Sequence, residues 1–401
     1  MNWEQVISGK DQLNVTTDSR KVTPGCIFVA LKGEHFDGND FVDKARADGA
    51  AYIISGENAL SELQDLARAW RRSLQIPVLG ITGTNGKTTT KELCAAVLAT
   101  RYNLHYTQGN LNNQLGVPLT VLQITRAHQM AIIEMGASHP GDIRELVEIA
   151  EPTCGLITNV GRAHLQGFGS FEGVLRTKAE LYDWLVAHNG TVFRNADNPF
   201  LKEMYLSAKR SNSQEVLYHT GTMPEGVHLV GGYNAENVSA ALCVGHYFGI
   251  PADQALEAVR AYVPSNNRSQ LMQTANNTVV VDAYNANPTS MTAAIEAFCQ
   301  RSGLTGGAGH KTTDCFILGA MRELGDYSHL EHQNIVNMLL ERRADRVLLV
   351  GDEYKATTAP YPVFDNVDEL CTYLQAHPIT GARILLKGSR SNQLEKAIPY
   401  L

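Results

Sequence analysis

Residues 80–90, Gly-Ile-Thr-Gly-Thr-Asn-Gly-Lys-Thr-Thr-Thr, constrain this chain more than any other stretch. The apolar run Pro77 to Ile81 ahead of them reads as a buried strand. Thr88 to Thr100 behind them has the apolar spacing of a helix. A strand, a Gly-rich turn ending in Gly-Lys-Thr and a helix build a phosphate cradle, because glycines let backbone N–H groups converge while the helix N-terminus adds positive potential. Lys87 is placed to neutralise β- and γ-phosphates, and the Thr88 hydroxyl to ligate Mg²⁺. Ile81 stands where the longer eight-residue pattern has its first glycine, leaving Gly83-x-x-Gly86-Lys87-Thr88. The strand and helix flanks argue against a chance Gly-Lys-Thr. The expectation is a nucleoside triphosphate site, with Gly83, Thr84, Asn85, Gly86, Lys87, Thr88 and Thr89 around the phosphates.

A chain of 401 residues has room for two or three α/β domains. A net charge of −7 excludes a broad basic face for nucleic acid or anionic membrane. Seven scattered cysteines form no C-x-x-C pair and read as buried thiols of a reducing compartment. No apolar run reaches membrane-spanning length, and Met1-Asn2-Trp3-Glu4 does not open a signal segment, so a cytoplasmic protein is expected.

Three units are expected along the chain: 1–75, 76–266 and 267–401. In the first, Asp18-Ser19-Arg20 precedes an apolar strand at 27–31, with a helix over 42–50, a strand over 51–54 and a helix over 61–74. Arg20 suits a phosphorylated or sugar ligand, or simply a surface turn with Asp18. In the second, the amide-rich run 107–113 suits hydrogen bonding to a sugar or peptide, or loop chemistry alone. The strand 130–135 ends near Glu134, where an open α/β sheet places ligand groups and where a metal carboxylate is expected. The strand 154–160 leads to His164 at the same sheet edge. On the helix 171–185, Lys178 interrupts an apolar stripe. Either its stem snorkels, or desolvation makes a neutral, reactive amine of it. Asn234 and Asn237, three apart at the start of a helix, fit an adenine edge or a helix cap.

The third unit follows a hinge-like Pro264-Ser265-Asn266-Asn267. Strands are expected at 278–281, 314–318, 346–350 and 383–386, with a helix between Pro288 and Cys299. Gly306 to Thr312 mimics a phosphate loop but follows a helix and precedes a strand, the wrong order. His329 and His332 around Glu331 hint at a metal, yet a helical surface face is the simpler reading.

Together the segments DSRKVTPGCIFVALKGEHFDG, GTNGKTTTK, GNLNNQLGVPLT, NVGRAHLQGFGS with RTKAE, VDAYNANPTSM, GAMRELG and LKGSRS resemble the Mur ligase family, the ATP-dependent ligases of peptidoglycan stem-peptide synthesis. The resemblance covers essentially the whole chain. It implies a small N-terminal α/β domain for a UDP-linked substrate, a central P-loop domain on a parallel sheet, and a C-terminal Rossmann-like α/β domain. DAYNANP points to the step that joins D-alanyl-D-alanine to UDP-MurNAc-tripeptide, small-molecule substrates handled by a monomer. The same resemblance implies ATP and two Mg²⁺ ions, with Thr88, Glu134, His164 and Lys178 as ligands, the last as a carbamate. By that analogy Lys87, His164 and Lys178 serve catalysis. Asn234, Asn237, Arg268, Asp282, Tyr284 and Asn285 would contact ATP, and Ser19, Arg20, Asn110 and Asn113 the UDP substrate. Tyr233, Asn39 and Ala320 depart from the family's usual His, His and Asp.

Overall fold

The computed structural model describes residues 2–33, 36–208, 214–264, 268–300, 313–344 and 346–401. Three sheets account for its strands. The first is parallel and three-stranded, β1 (Val15–Thr16), β2 (Ile27–Val29) and β3 (Tyr52–Ile54), with β2 in the middle. The second comprises β4 (Val78–Thr82), β5 (Leu104–Tyr106), β6 (Met130–Glu134), β7 (Cys154–Ile157), β8 (Thr191–Asn195) and β9 (Gln214–Tyr218). They lie all parallel in the order β5-β6-β4-β7-β8-β9. The central strands β4, β6 and β7 are buried along their whole length. That is why they read as continuous apolar runs rather than alternating ones.

The third sheet runs β10-β11-β15-β12-β13-β14, from β10 (Gln270–Gln273), β11 (Thr278–Asp282), β12 (Thr313–Gly319), β13 (Arg346–Val350), β14 (Val363–Phe364) and β15 (Ala382–Lys387). Only β10 is antiparallel. Helices alternate with the strands, so the two large sheets are open α/β sheets whose ligand edges lie at the strand carboxyl ends.

The first sheet is fastened to the second through the helix Ala59–Ser73. Its Leu63, Leu66, Ala67 and Trp70 share one core with Val121, Ile133, Leu146 and Tyr182. Trp70 Nε1 donates to the Ile124 carbonyl at 2.8 Å, and the buried Arg71 guanidinium satisfies the carbonyls of Ala150 and Glu151. No helix among the described residues is long and apolar enough to cross a membrane.

Several boundaries differ from expectation for local reasons. The helix expected over 42–50 is Val42–Ala47; it stops before Gly49, whose φ of +93° turns the chain against Pro24. The strand expected to 160 ends at Ile157, because Thr158 and Asn159 turn their side chains to the phosphate loop. The phosphate-loop mimic at 306–312 and residues 265–267 of the expected hinge lie outside the described residues.

Candidate active site

The phosphate loop leaves β4 at Thr82 and enters the helix Lys87–Leu98. Two positions in it admit only glycine. At Gly83 (φ +143°) a Cβ would lie 2.0 Å from Thr158 Oγ1, and at Gly86 (φ +79°) 2.4 Å from Asn237 Oδ1. The loop is held from beneath. Asn85 N–H donates to Asn159 Oδ1 at 3.0 Å, while the Asn85 carbonyl accepts from Thr158 Oγ1 at 2.6 Å and Asn159 Nδ2 at 3.1 Å. Lys87 Nζ folds back on the loop, donating to the carbonyls of Gly83 (2.8 Å) and Thr84 (3.0 Å). Burial pushes the Lys87 ammonium down to about 8; the Glu134 carboxylate opposes that shift, and the Arg268 charge adds to it.

Above the loop lies a cleft of about 650 Å³ between the second and third sheets. From the second sheet it is lined by Thr84 to Thr89, Asn110, Asn113, Glu134, His164, Asn234 and Asn237; from the third by Arg268, Asp282, Tyr284 and Asn285. Thus most of the residues singled out in the sequence converge. Gly83 and Lys178 sit outside its lining, and so do Ser19 and Arg20. Arg20 lies in a short exposed turn, its side chain 86 % exposed and paired to Asp18 at 2.9 Å through both Nε and Nη2. That contact is the surface-turn arrangement.

Glu134 closes β6 with its carboxylate buried. Oε1 accepts from Thr88 Oγ1 at 3.1 Å and Asn112 Nδ2 at 2.8 Å. Oε2 makes no hydrogen bond among the described residues, and Lys91 Nζ stands 3.9 Å away. An open, buried carboxylate oxygen beside a threonine hydroxyl suits a hard cation. Among the described residues no three His, Cys, Asp or Glu side chains converge, so phosphate and water oxygens would complete such a shell, the usual arrangement for Mg²⁺. His164 occupies a left-handed conformation (φ +50°) and its Nδ1 meets Oε2 of Glu323, itself at φ +63°.

Lys178, on the helix Phe171–Ala187, is 2 % exposed, so its amine does not reach bulk water. It lies 5.6 Å from the Phe168 ring centre. Burial first, then the nearby Lys87 charge, push it well below the usual lysine range. Snorkelling is therefore the wrong description of its environment.

The two asparagines at the cleft wall are committed internally. Asn237 Nδ2 donates to Asn234 Oδ1 at 2.8 Å, Asn234 Nδ2 to the Val230 carbonyl, and Asn237 Oδ1 accepts from Thr90 Oγ1 at 3.1 Å. They brace the phosphate-loop helix. The Asn113 side-chain Oδ1 is likewise engaged, accepting the Gly116 N–H at 2.8 Å. Asp282 accepts from the buried Lys387 ammonium at 2.6 Å. Lys387 was not singled out, although a lone charge closing the apolar strand β15 is the same signal that marked Glu134. Ala320 is fully buried, its carbonyl taken by Asn392 Nδ2, and it offers no polar side chain to the cleft.

The second and third sheets meet along a polar seam. Asn85 and Asn287 exchange amide hydrogen bonds of 3.4 and 2.7 Å, Arg162 N–H donates to Thr289 Oγ1 at 3.0 Å, and Arg162 Nη1 pairs with Glu331 Oε1 at 3.1 Å. The surface-face reading of 329–332 holds for the exposed His329 and is corrected for the other two: Glu331 is 4 % exposed and His332 fully buried. The His332 Nε2 accepts the Met321 N–H and its Nδ1 donates to the Ser328 carbonyl, leaving no lone pair for a metal. Helical spacing could not reveal a partner 169 residues away.

This seam is testable. Arg162→Glu should place two carboxylates together across it, cutting turnover roughly 10-fold and enlarging the radius of gyration. The swapped pair R162E/E331R should recover most of both in steady-state assays and small-angle scattering.

A phosphate loop on one parallel sheet, facing a second open α/β sheet across a cleft lined by both cations and carboxylates, defines a nucleoside-triphosphate-dependent enzyme whose site is shared between units. Comparison with known proteins narrows the class. The Mur ligase family, catalytic domain, matches residues 13–96, the Mur ligase middle domain 81–225, and the Mur ligase, glutamate ligase domain 267–390. UDP-N-acetylmuramoyl-tripeptide–D-alanyl-D-alanine ligase of Bacillus subtilis is 35 % identical over 438 residues, spanning 96 % of this chain and 92 % of that protein. The crystal structure of MurF from Acinetobacter baumannii superposes with a TM-score of 0.84 at 28 % identity, covering 96 % of this chain and 92 % of that one. MurF ligase from Thermotoga maritima in complex with ADP gives 0.85 at 25 %, covering 100 % and 98 %. The chain belongs to the Mur ligase family.

Proposed function

We propose that this chain joins D-alanyl-D-alanine to UDP-MurNAc-tripeptide at the expense of ATP, giving UDP-MurNAc-pentapeptide, ADP and phosphate for peptidoglycan. The observation that carries the reading is the meeting of the phosphate loop with the Asp282–Pro288 segment, through Asn85 and Asn287, over one cleft. The terminal carboxylate of the tripeptide attacks the γ-phosphorus, the bond to the β-phosphate oxygen breaks, and an acyl phosphate forms. The dipeptide amine then attacks the acyl carbon, phosphate leaves, and the amine's extra proton is lost.

Two polyanions must meet in this scheme. Lys87 and Arg268 line the cleft and lower that barrier by positive charge beside the phosphates. Thr88, Glu134, His164 and a carbamate on Lys178 would hold two Mg²⁺ ions, which when bound neutralise phosphate charge. The free Glu134 Oε2 fits that role; His164, a nitrogen donor, fits a hard cation less well. Tyr284 and Asn285 line the nucleotide side with Asp282, and Asn234 and Asn237 shape its wall from behind.

The unit 1–75 takes the UDP moiety through Ser19 and Arg20, the unit 76–266 ATP, and the unit 267–401 completes the site. Arg20 leaves Asp18 when the substrate phosphates arrive. Nucleotide-linked substrates support action in the cytoplasm, and action as a monomer belongs to the same reading.

Phosphate release measured with UDP-MurNAc-tripeptide, with and without D-Ala-D-Ala, tests the reading. Release should require both, with a product heavier by one dipeptide; release indifferent to the dipeptide would overturn it.

A further inference from the structure

The acceptor dipeptide brings a carboxylate as well as an amine, and a carboxylate drawn out of bulk water needs a cation of its own. The cations around the cleft are mostly committed. Lys87 donates to the loop carbonyls and Lys387 is bonded to Asp282. Arg162 pairs with Glu331 and Arg322 with Glu353. Arg268 lies close enough to Lys87 for their charges to repel, which places it at the phosphate end. Arg390 remains. It is exposed, and no carboxylate stands within ion-pair distance of it among the described residues.

Its placement is built rather than incidental. Arg390 follows β15 at the carboxyl edge of the third sheet, where β15 separates β11 from β12 and the chain's direction of winding reverses. The residues around it are buried and tied down. Asn392 Nδ2 donates to the carbonyls of Ala320 and Ser389, and Ser389 Oγ accepts the Arg322 N–H at 3.2 Å. A fixed turn thus presents one unpaired guanidinium.

Tyr284, which lines the cleft, connects that guanidinium to the nucleotide side. The Arg268 guanidinium carbon stands 3.6 Å from the Tyr284 ring centre and that of Arg390 5.2 Å, so the two lie no more than ~9 Å apart. An extended dipeptide spans roughly 7 Å. A dipeptide whose carboxylate rests on Arg390 therefore carries its amine toward the Arg268 end, where the acyl phosphate forms.

We propose that Arg390 is the specificity-determining residue for the acceptor, binding the C-terminal carboxylate of the incoming dipeptide and setting the reach of its amine. This rests on the ligase reading given above and names the acceptor's subsite within it.

Steady-state kinetics on Arg390→Gln and Arg390→Lys, with D-Ala-D-Ala and its C-terminal amide as acceptors, test the proposal. Arg390→Gln should raise KM for the dipeptide about 10- to 100-fold and leave KM for ATP and for UDP-MurNAc-tripeptide unchanged, which also certifies the fold. Arg390→Lys should fall between. The amide should be a poor acceptor for the wild type and lose little more in R390Q. Equal use of acid and amide by the wild type, or an equal loss on both in R390Q, would overturn Arg390 as the anchor while the ligase reading stands. Wild-type protein showing no dipeptide-dependent phosphate release would instead overturn the ligase reading, and the proposal with it.

Discussion

Lys178→Ala should lower turnover by about 10³-fold or more, and formate or acetate added to the assay should return part of it. The expectation starts from position. Lys178 is buried on the helix Phe171–Ala187 beside Phe168, and both burial and the Lys87 charge disfavour its ammonium form. A neutral amine is the form that adds to CO₂, losing a proton to give a carbamate, whose carboxylate-like oxygens would supply metal ligands. A small carboxylate entering the space vacated by the truncated side chain supplies similar oxygens. Stability separates this role from a packing role. Holding an amine out of water is unfavourable, so Lys178→Met should melt at the same temperature as the wild type or higher while remaining inactive. Full activity in Lys178→Ala would dispose of the carbamate, and a large drop in melting temperature for both variants would make the residue structural.

What the sequence discloses and what it hides divide along range. The phosphate loop, the all-buried strands β4, β6 and β7, and Glu134 at a strand end are local patterns, and local patterns survive reading in one dimension. Interactions across long separations do not. Asn234 and Asn237 fit an adenine edge or a helix cap by spacing, and spacing does not show that their amides hold Thr90 and each other where they line the cleft. Glu331 reads as part of a helical surface face, yet it is buried against Arg162 and helps join two sheets. Trp70 and Arg71 lie just before the expected boundary at 75 and anchor their helix to the second sheet's core. Lys178 is the intermediate case. An apolar stripe shows that its stem is buried, but only the surrounding elements decide whether the amine escapes to water.

The second large effect concerns Lys87. Lys87→Met should reduce turnover by about 10³-fold, since one fixed charge directed at a developing phosphoryl anion commonly accounts for that much. The wild type should also show a pH signature. With its ammonium held near 8 rather than the usual 10.5, Lys87 sheds its proton in the ligand-free protein as pH rises through 8. Phosphate favours the charged form, so ATP binding draws a proton back. Affinity should be level below about pH 7 and then fall, approaching tenfold per pH unit, above 8. At pH 8.5 the calorimetric binding enthalpy should therefore vary with the ionisation enthalpy of the buffer, with the sign of proton uptake. Stability runs the other way. Between 8 and 10.5 the unfolded chain holds a proton that the folded chain lacks, so Lys87 makes folding more favourable as pH rises through that window. Lys87→Arg, charged throughout, should flatten both dependences even where it is slow. ATP affinity that stays constant from pH 7 to 9.5 in the wild type would mean that the ammonium is never lost. The loop carbonyls of Gly83 and Thr84, which accept from Nζ in the absence of nucleotide, would then outweigh burial.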